Sequence, residues 1–158
     1  MNERYAYVRK IGEGGSGTVS LVFDRKLHSY WAVKEVRQRQ FYQQNMELKA
    51  LKSISSEQFP RIADAFFKGD SLYLVMDYIE GESLKQRMKR GPLPEKEVIH
   101  IALQLAQGLH YLHSHSPQIL YMDCKPGNIL VNGEGKVKLV DLGSVYFCTE
   151  TAKQRNIK

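Results

Sequence analysis

Residues 119–143 read ILYMDCKPGNILVNGEGKVKLVDLG. NILV and KVKLV are aliphatic runs on either side of NGEG, the pattern of a β-hairpin closed by a glycine-containing turn. Ahead of the hairpin, Asp123, Lys125 and Asn128 stand at the spacing D-x-K-x-x-N, and directly after it comes Asp141 in D-L-G. An aspartate on a loop can accept a hydroxyl proton or orient a nucleophile, and a lysine two residues later can neutralise a moving phosphoryl group. Asn128 offers a neutral oxygen and Asp141 a charged one, the donors preferred by a hard cation such as Mg2+. An Asp–Lys pair in a loop is ordinarily a surface ion pair. What decides between the two is the company these residues keep, and in what order.

Upstream, IGEGGSGTV (residues 11–19) holds Gly12, Gly14 and Gly17 in the pattern G-x-G-x-x-G-x-V. A dinucleotide-binding turn would need these glycines to open a helix, but the β-like run TVSLVFD follows them. A glycine-rich hairpin whose backbone N–H groups close over phosphates fits better. Val19 could pack on the flat face of a base, with an ordinary strand valine as the alternative. YAYVRKIG, TVSLVFD and YWAVKEV read as three strands, and in the third a period of two sets Ala32 and Lys34 on one face and Val33 on the other. A lysine on a half-buried strand costs desolvation unless it meets an anion. Glu47 is its natural partner, on a helix expected from about Gln40 to Ser53 with Leu48, Leu51 and Ile54 on the buried side. Glu35, the strand neighbour of Lys34, faces away. RIADAFFKG and SLYLVMDYI add two strands around a Gly-Asp-Ser turn.

After EGES the signals turn helical. Ser83 is placed to cap a short helix through Arg90, GPLP ends it, and Pro94 opens a long helix. Val98, Ile101, Ala102, Leu105, Leu109 and Leu112 recur there at three- and four-residue steps, with Glu95 and Glu97 at the positive end of the helix dipole.

Composition narrows the class. With 42% hydrophobic and 25% charged residues the 158-residue chain can bury a core, as one domain or two small lobes. The net charge of +6 could attract a polyanion. Its clusters at Lys34–Arg39, Lys85–Arg90 and Lys153–Lys158 carry no interleaved aromatics, so nucleic acid is not the expected partner. No apolar run is long enough to span a bilayer, and MNERYAYVRKIG has no signal-peptide block, so the cytoplasm is the expected compartment. Cys124 and Cys148 lack metal-type spacing and are expected as reduced, unpaired thiols, Cys124 as a small apolar filler more than a redox handle. The histidines of HYLHSHS read as helix-end polarity, not metal ligands.

Gly-rich hairpin, strand Lys, helix Glu, D-x-K-x-x-N and D-x-G occur in the order that one reaction needs. From residue 5 onward the chain resembles the protein kinase family, and YMDCKPGNILV with YLVMDYIEGESL is similar to the eukaryotic-like Ser/Thr kinases of bacteria. The resemblance implies an α+β, two-lobed kinase-like fold with a β-rich N-lobe over 1–76, a hinge at 77–83 and an α-rich C-lobe from 84 to 158. It implies that Ile11, Gly12, Gly14, Gly17 and Val19 cover ATP, and that Lys34 holds its α/β-phosphates and pairs with Glu47. Asp123 would be the catalytic base, Lys125 would assist at the γ-phosphate, and Asn128 and Asp141 would bind Mg2+. Met76 would be the gatekeeper, Asp77–Ile79 would offer backbone to adenine, and Val19, Ala32 and Leu130 would sandwich the base. The implied substrate is a protein Ser or Thr hydroxyl; oligomeric state is left open.

Several residues depart from the family pattern. Tyr121 stands where His is usual and Leu142 where Phe is usual, both apolar enough to stack in a spine with Leu51 and Ile62. Met122 stands where the family commonly has an Arg that grips a phosphorylated activation loop, and a methionine cannot make that charge-assisted bond. The interval from Lys34 to Glu47 is short for the family. The sequence stops soon after D-L-G without an A-P-E motif, so a truncated C-lobe is expected, with part of the long helix's apolar stripe bare. Two other functions are open to such a chain: a pseudokinase-like nucleotide-binding module without turnover, or a basic interaction protein on the same fold.

Overall fold

The computed structural model describes residues 3–15, 17–37 and 41–148. The basic tail Lys153–Lys158 and the expected helix start at Gln40 lie outside them. The chain forms two compact units, Met1–Ser53 with Pro60–Ile79, and Ile54–Phe59 with Glu80–Lys158.

The first unit is an antiparallel sheet with one helix. Strands β1 (Tyr5–Gly14), β2 (Gly17–Asp24), β3 (Ser29–Arg37), β4 (Ile62–Lys68) and β5 (Ser71–Asp77) lie in the order β1-β2-β3-β5-β4, and α1 spans Phe41–Ser53. The period-two alternation sorts side chains by face. On one face Tyr5, Val22, Val33 and Val75 form a buried cluster against which Trp31, Phe66 and Tyr73 pack. Tyr5, Phe66 and Tyr73 stack nearly parallel, with centroids 6.0 and 5.3 Å apart. Lys34 is on the other face.

Gly17 opens β2 at φ +133°, and a Cβ there would stand 2.2 Å from the Glu35 carbonyl oxygen. Gly17→Ala therefore combines a backbone region reserved for glycine with a clash against main chain. We expect it to destabilise this unit by about 1–3 kcal/mol, read from urea unfolding.

Asp24 closes the turn after β2. It is fully buried and accepts from Arg4 Nε at 2.9 Å and from the backbone N–H groups of Lys26 and Leu27 at 2.8 and 3.1 Å. The Arg4 hydrogen bond, helped by those two N–H groups against the cost of burial, lowers its pKa from 3.8 to about 2. Because the folded value lies below the unfolded one, this stabilisation is present above about pH 4 and is lost as the pH falls towards 2. Asp24→Asn should flatten the fall in unfolding free energy across that window.

The second unit is built on a long helix. Short β6 (Glu82–Ser83) leads into α2 (Leu84–Met88), and α3 runs from Glu95 to His113. Ser83 caps α2 in a capping box with Gln86, and Pro94 sits at the N-cap of α3. Three short strand pairs follow: β7 (Ile119–Tyr121) with β10 (Val145–Phe147), and β8 (Ile129–Val131) between β6 and β9 (Val137–Leu139). α3 packs on β7 and β9, and Gly108 permits the approach, since a Cβ there would come within 3.0 Å of Leu139. Of the expected apolar stripe, Ile101 and Leu112 are buried and Val98 stays 47% exposed, and Ile99 and Leu103, which lie outside the stripe, are 50 and 59% exposed.

The first unit runs to Ile79, inside the stretch 77–83 read as a hinge, and a segment before β4 groups with the second unit. Ile54–Phe59 belongs with the second unit, because Gln58 O accepts from Leu139 N–H at 2.7 Å, Tyr111 Oη accepts from Ser55 N–H at 2.9 Å, and Phe59 lies against the Tyr111 ring.

Candidate active site

In the first unit the register gathers the residues named from the sequence. Gly12 pairs with Val19 and Gly14 with Gly17 across β1–β2, while a register shift between Lys10 and Gly12 sets off Ile11. Val19 pairs with Lys34 across β2–β3, and Ala32 pairs with Met76 across β3–β5. Cross-strand partners share a face, so Val19, Ala32, Lys34 and Met76 project from the same side of the sheet. A Cβ at Gly14 or Gly15 would meet nothing within 4 Å, so the turn's backbone is uncrowded.

Lys34 Nζ lies 2.7 and 2.8 Å from the two carboxylate oxygens of Glu47, and each residue is only 2% exposed. Helical spacing explains the placement. Glu47, Ala50 and Leu51 stand on one stripe of α1, and all three are buried, while Leu48 is only half-buried. The expectation for Leu48 was thus one position off the stripe; the 47/50/51/54 spacing carried the signal. Glu35 accepts from the Ser71 hydroxyl at 3.0 Å.

Met76 is buried at the end of β5. Asp77 accepts from Arg61 through its backbone N–H and Nε, both at 3.0 Å, and its own N–H donates to Arg61 O. That N–H is therefore committed within the unit. Ile79 is half-buried.

In the second unit a knot of hydrogen bonds orders the loop after β7. Asn128 closes a 3-10 turn over Pro126–Asn128, is 7% exposed, and donates from its side-chain amide to Asp123 O at 3.0 Å and Asp123 Oδ2 at 2.9 Å. Lys125 Nζ donates to the same Oδ2 at 2.5 Å, which raises the Lys125 pKa and keeps it a cation. Asp123 Oδ1 takes no hydrogen bond among the described residues, and the side chain is 33% exposed. One oxygen is fixed; the other is presented.

Asp141 adopts a left-handed conformation, φ 66° and ψ 72°, with Gly143 N–H directed at its Oδ1 from 3.4 Å. Val140 N–H donates to Asn128 O at 2.9 Å, bringing the residue before Asp141 against Asn128. With its amide nitrogen committed to Asp123, the group Asn128 could offer a metal ion is its side-chain oxygen. Among the described residues no group of three or more His, Cys, Asp or Glu could hold a metal. One amide oxygen and one carboxylate suit Mg2+, which keeps waters and binds substrate phosphates in place of an all-protein cage. Leu130 is half-buried on β8, between buried Ile129 and Val131.

Tyr121, read from the sequence as apolar enough to stack in a spine, also carries a polar contact. Its ring is buried, but its hydroxyl donates to Val140 O at 2.6 Å, and burial, more than the nearby Asp141 charge, pushes its pKa up. Hydropathy gives no sign of that bond. Met122 is 67% exposed, Cys124 exposed and Cys148 half-buried.

The protein kinase domain family matches residues 5–157. The chain is 29% identical over 157 residues to serine/threonine-protein kinase PAK 1 of Mus musculus, covering 98% of this chain and 28% of that protein. It is 33% identical over 141 residues to dual specificity mitogen-activated protein kinase kinase 1 of Dictyostelium discoideum, covering 86% and 21%. A probable serine/threonine-protein kinase of Clostridium perfringens is 33% identical over 152 residues, 90% of this chain and 22% of that protein. The chain thus spans about a quarter of the length of these relatives. Matched by the protein kinase domain over residues 5–157, this chain belongs to the protein kinase family.

Proposed function

We propose that the chain supplies the catalytic residues of an ATP-dependent Ser/Thr protein kinase. The observation that carries this function is the Asp123 carboxylate, anchored at one oxygen by Asn128 and Lys125 and open at the other. A Ser or Thr hydroxyl oxygen attacks the γ-phosphorus of ATP, the bond to the β-phosphate oxygen breaks, and the hydroxyl proton passes to Asp123 Oδ1. Lys125 offsets charge on the transferred group. Lys34, held by Glu47, binds the α/β-phosphates under the Gly12–Gly17 turn, and Val19, Ala32 and Leu130 contact the adenine. The hinge contribution comes from Met76, Asp77 and Ile79, Asp77 acting through groups other than its N–H. Asn128 and Asp141 are the residues that would hold Mg2+, which when bound neutralises phosphate charge. The cytoplasm, rich in ATP and kept reducing, suits two free thiols. No helix among the described residues is long and apolar enough to cross a membrane.

The test is transfer from γ-labelled ATP·Mg to a generic basic protein, followed by phosphoamino-acid analysis. Label on serine and threonine is expected. Label on tyrosine alone would refute the acceptor class, and ATP binding without label would leave a nucleotide-binding module.

Met122 bears on regulation. An exposed thioether offers no charge to an activation-loop phosphate. Phosphatase treatment should therefore leave the rate unchanged within about twofold; a tenfold loss would show that phosphate is gripped by other residues.

A further inference from the structure

We propose that Lys85 is a specificity-determining residue, selecting acceptor segments that carry an acidic side chain, carboxylate or phosphate, close to the hydroxyl that takes the phosphoryl group. The proposal deepens the assignment of Asp123 as the base and rests on it.

The cations of α2 and of the residues just after it are not alike. Arg87 Nε lies 2.8 Å from Glu97 Oε1, and Arg90 donates to Glu82, so these two tie α2 to α3 and β6. Lys85 and Lys89 are exposed, and among the described residues neither ammonium group meets a carboxylate or any other acceptor. Their i, i+4 spacing puts both on one stripe, where like charges repel and weaken a helix slightly. The fold gains nothing from these two charges.

What lies beneath them separates the two. α2 packs on the 3-10 turn Pro126–Asn128, and the Lys85 stem passes over Gly127, where a Cβ would meet only Lys85 Cδ, at 4.0 Å. Glycine brings no carboxylate to the ammonium group above it. The next residue, Asn128, is the one whose amide holds Asp123 Oδ2, and Lys125 is itself bonded to that oxygen. Lys85 is therefore an uncommitted positive charge standing one residue from a group that fixes the base.

A segment lying extended over this loop, with its hydroxyl at Asp123 Oδ1, rises about 3.3 Å per residue. A side chain a few residues from the acceptor then comes within reach of Lys85. An acidic one gains an ion pair and a basic one is repelled. The net charge of +6 acts in the same sense at longer range. The preference ranks acceptors and does not bar a basic protein, whose serines lie in varied surroundings. A lysine that merely solvates α2 would give no discrimination.

The test uses the full chain with ATP·Mg and neutral peptides holding one serine, flanked about three residues to either side by Glu, Gln, Lys or phosphoserine. kcat/KM is measured for each peptide, and binding of labelled copies is read by fluorescence anisotropy with ADP present. Wild type should favour Glu over Gln about threefold to fivefold in both readouts, the upper range of one exposed ion pair, and less so at high salt. Lys85→Ala should erase that ratio, and Lys85→Glu should shift the preference to Lys. Gly127→Glu gives Lys85 a carboxylate partner within the chain and should erase the ratio with Lys85 in place. Lys136→Glu, in the turn of the β8–β9 hairpin, changes the net charge as Lys85→Glu does and should keep the wild-type ratio. With the preference in place, Glu used ahead of phosphoserine names a carboxylate as the selected group, and the reverse order a phosphate. Equal use of the Glu and Gln peptides by wild type, or a ratio unchanged in Lys85→Ala, would overturn the proposal. A ratio that persisted in binding while no peptide was phosphorylated would uphold Lys85 as the residue that selects acid and overturn the role of Asp123 instead.

Discussion

Lys34→Met should lower the stability of the first unit by about 3–5 kcal/mol and abolish detectable ATP binding. The pair it breaks is 2% exposed at both ends, and the two N···O distances, 2.7 and 2.8 Å, leave the lysine well matched to its carboxylate. Forming such a pair costs two desolvations, and the attraction across a low-dielectric interior roughly offsets them. Removing only the cation leaves Glu47 charged and buried beside a thioether. The double variant Lys34→Met/Glu47→Leu removes both charges, fills similar volume, and should regain most of the lost stability while still binding no ATP. Trp31, the single tryptophan, lies on β3 in this unit and reports its unfolding by fluorescence. A single variant that lost under about 1 kcal/mol, or a double variant that bound ATP normally, would contradict the role given to Lys34.

Asp123→Asn should lower kcat by about 10²–10⁴-fold and leave the affinity for ATP unchanged. The asparagine keeps the shape, and its carbonyl can still accept from Lys125 and Asn128, so the knot around the 3-10 turn survives. What it loses is the basic oxygen that takes the proton as the hydroxyl attacks. Lys34 and the glycine turn, which are assigned the nucleotide's phosphates, lie in the other compact unit and are untouched. Initial rates at saturating ATP separate the two effects; a raised KM for ATP at constant kcat would assign Asp123 to binding.

How much of this was legible follows from where the information sits in the chain. The five strands of the first unit announce themselves by alternation, and their register follows from short turns, so the common face of Val19, Ala32, Lys34 and Met76 could be anticipated. The capping box at Ser83 was visible because its signal is local. Leu48 was misplaced because hydropathy favours leucine over glutamate for the buried stripe; a charge is admitted there only because Lys34 meets it from a distant strand. The grouping of Ile54–Phe59 with the second unit rests on its main-chain groups bonding the Leu139 N–H and the Tyr111 hydroxyl, which leave no mark on composition. Tyr121 shows the same blindness at the site. A phenol reads as an aromatic filler until the carbonyl it bonds, nineteen residues on, is in place. Local rules therefore name the reacting residues, and what orients them is set by contacts distant in sequence.

The most direct test is to follow wild type and Asp123→Asn together through one ATP·Mg titration, recording on the same samples the rise in melting temperature and the transfer of γ-phosphate to protein. Both proteins should be stabilised by ATP to the same extent, and only wild type should transfer phosphate. Equal transfer by the two would remove Asp123 from the chemistry, and stabilisation without transfer by wild type would show a nucleotide-binding protein in which the ordered Asp123–Lys125–Asn128 loop does no catalysis.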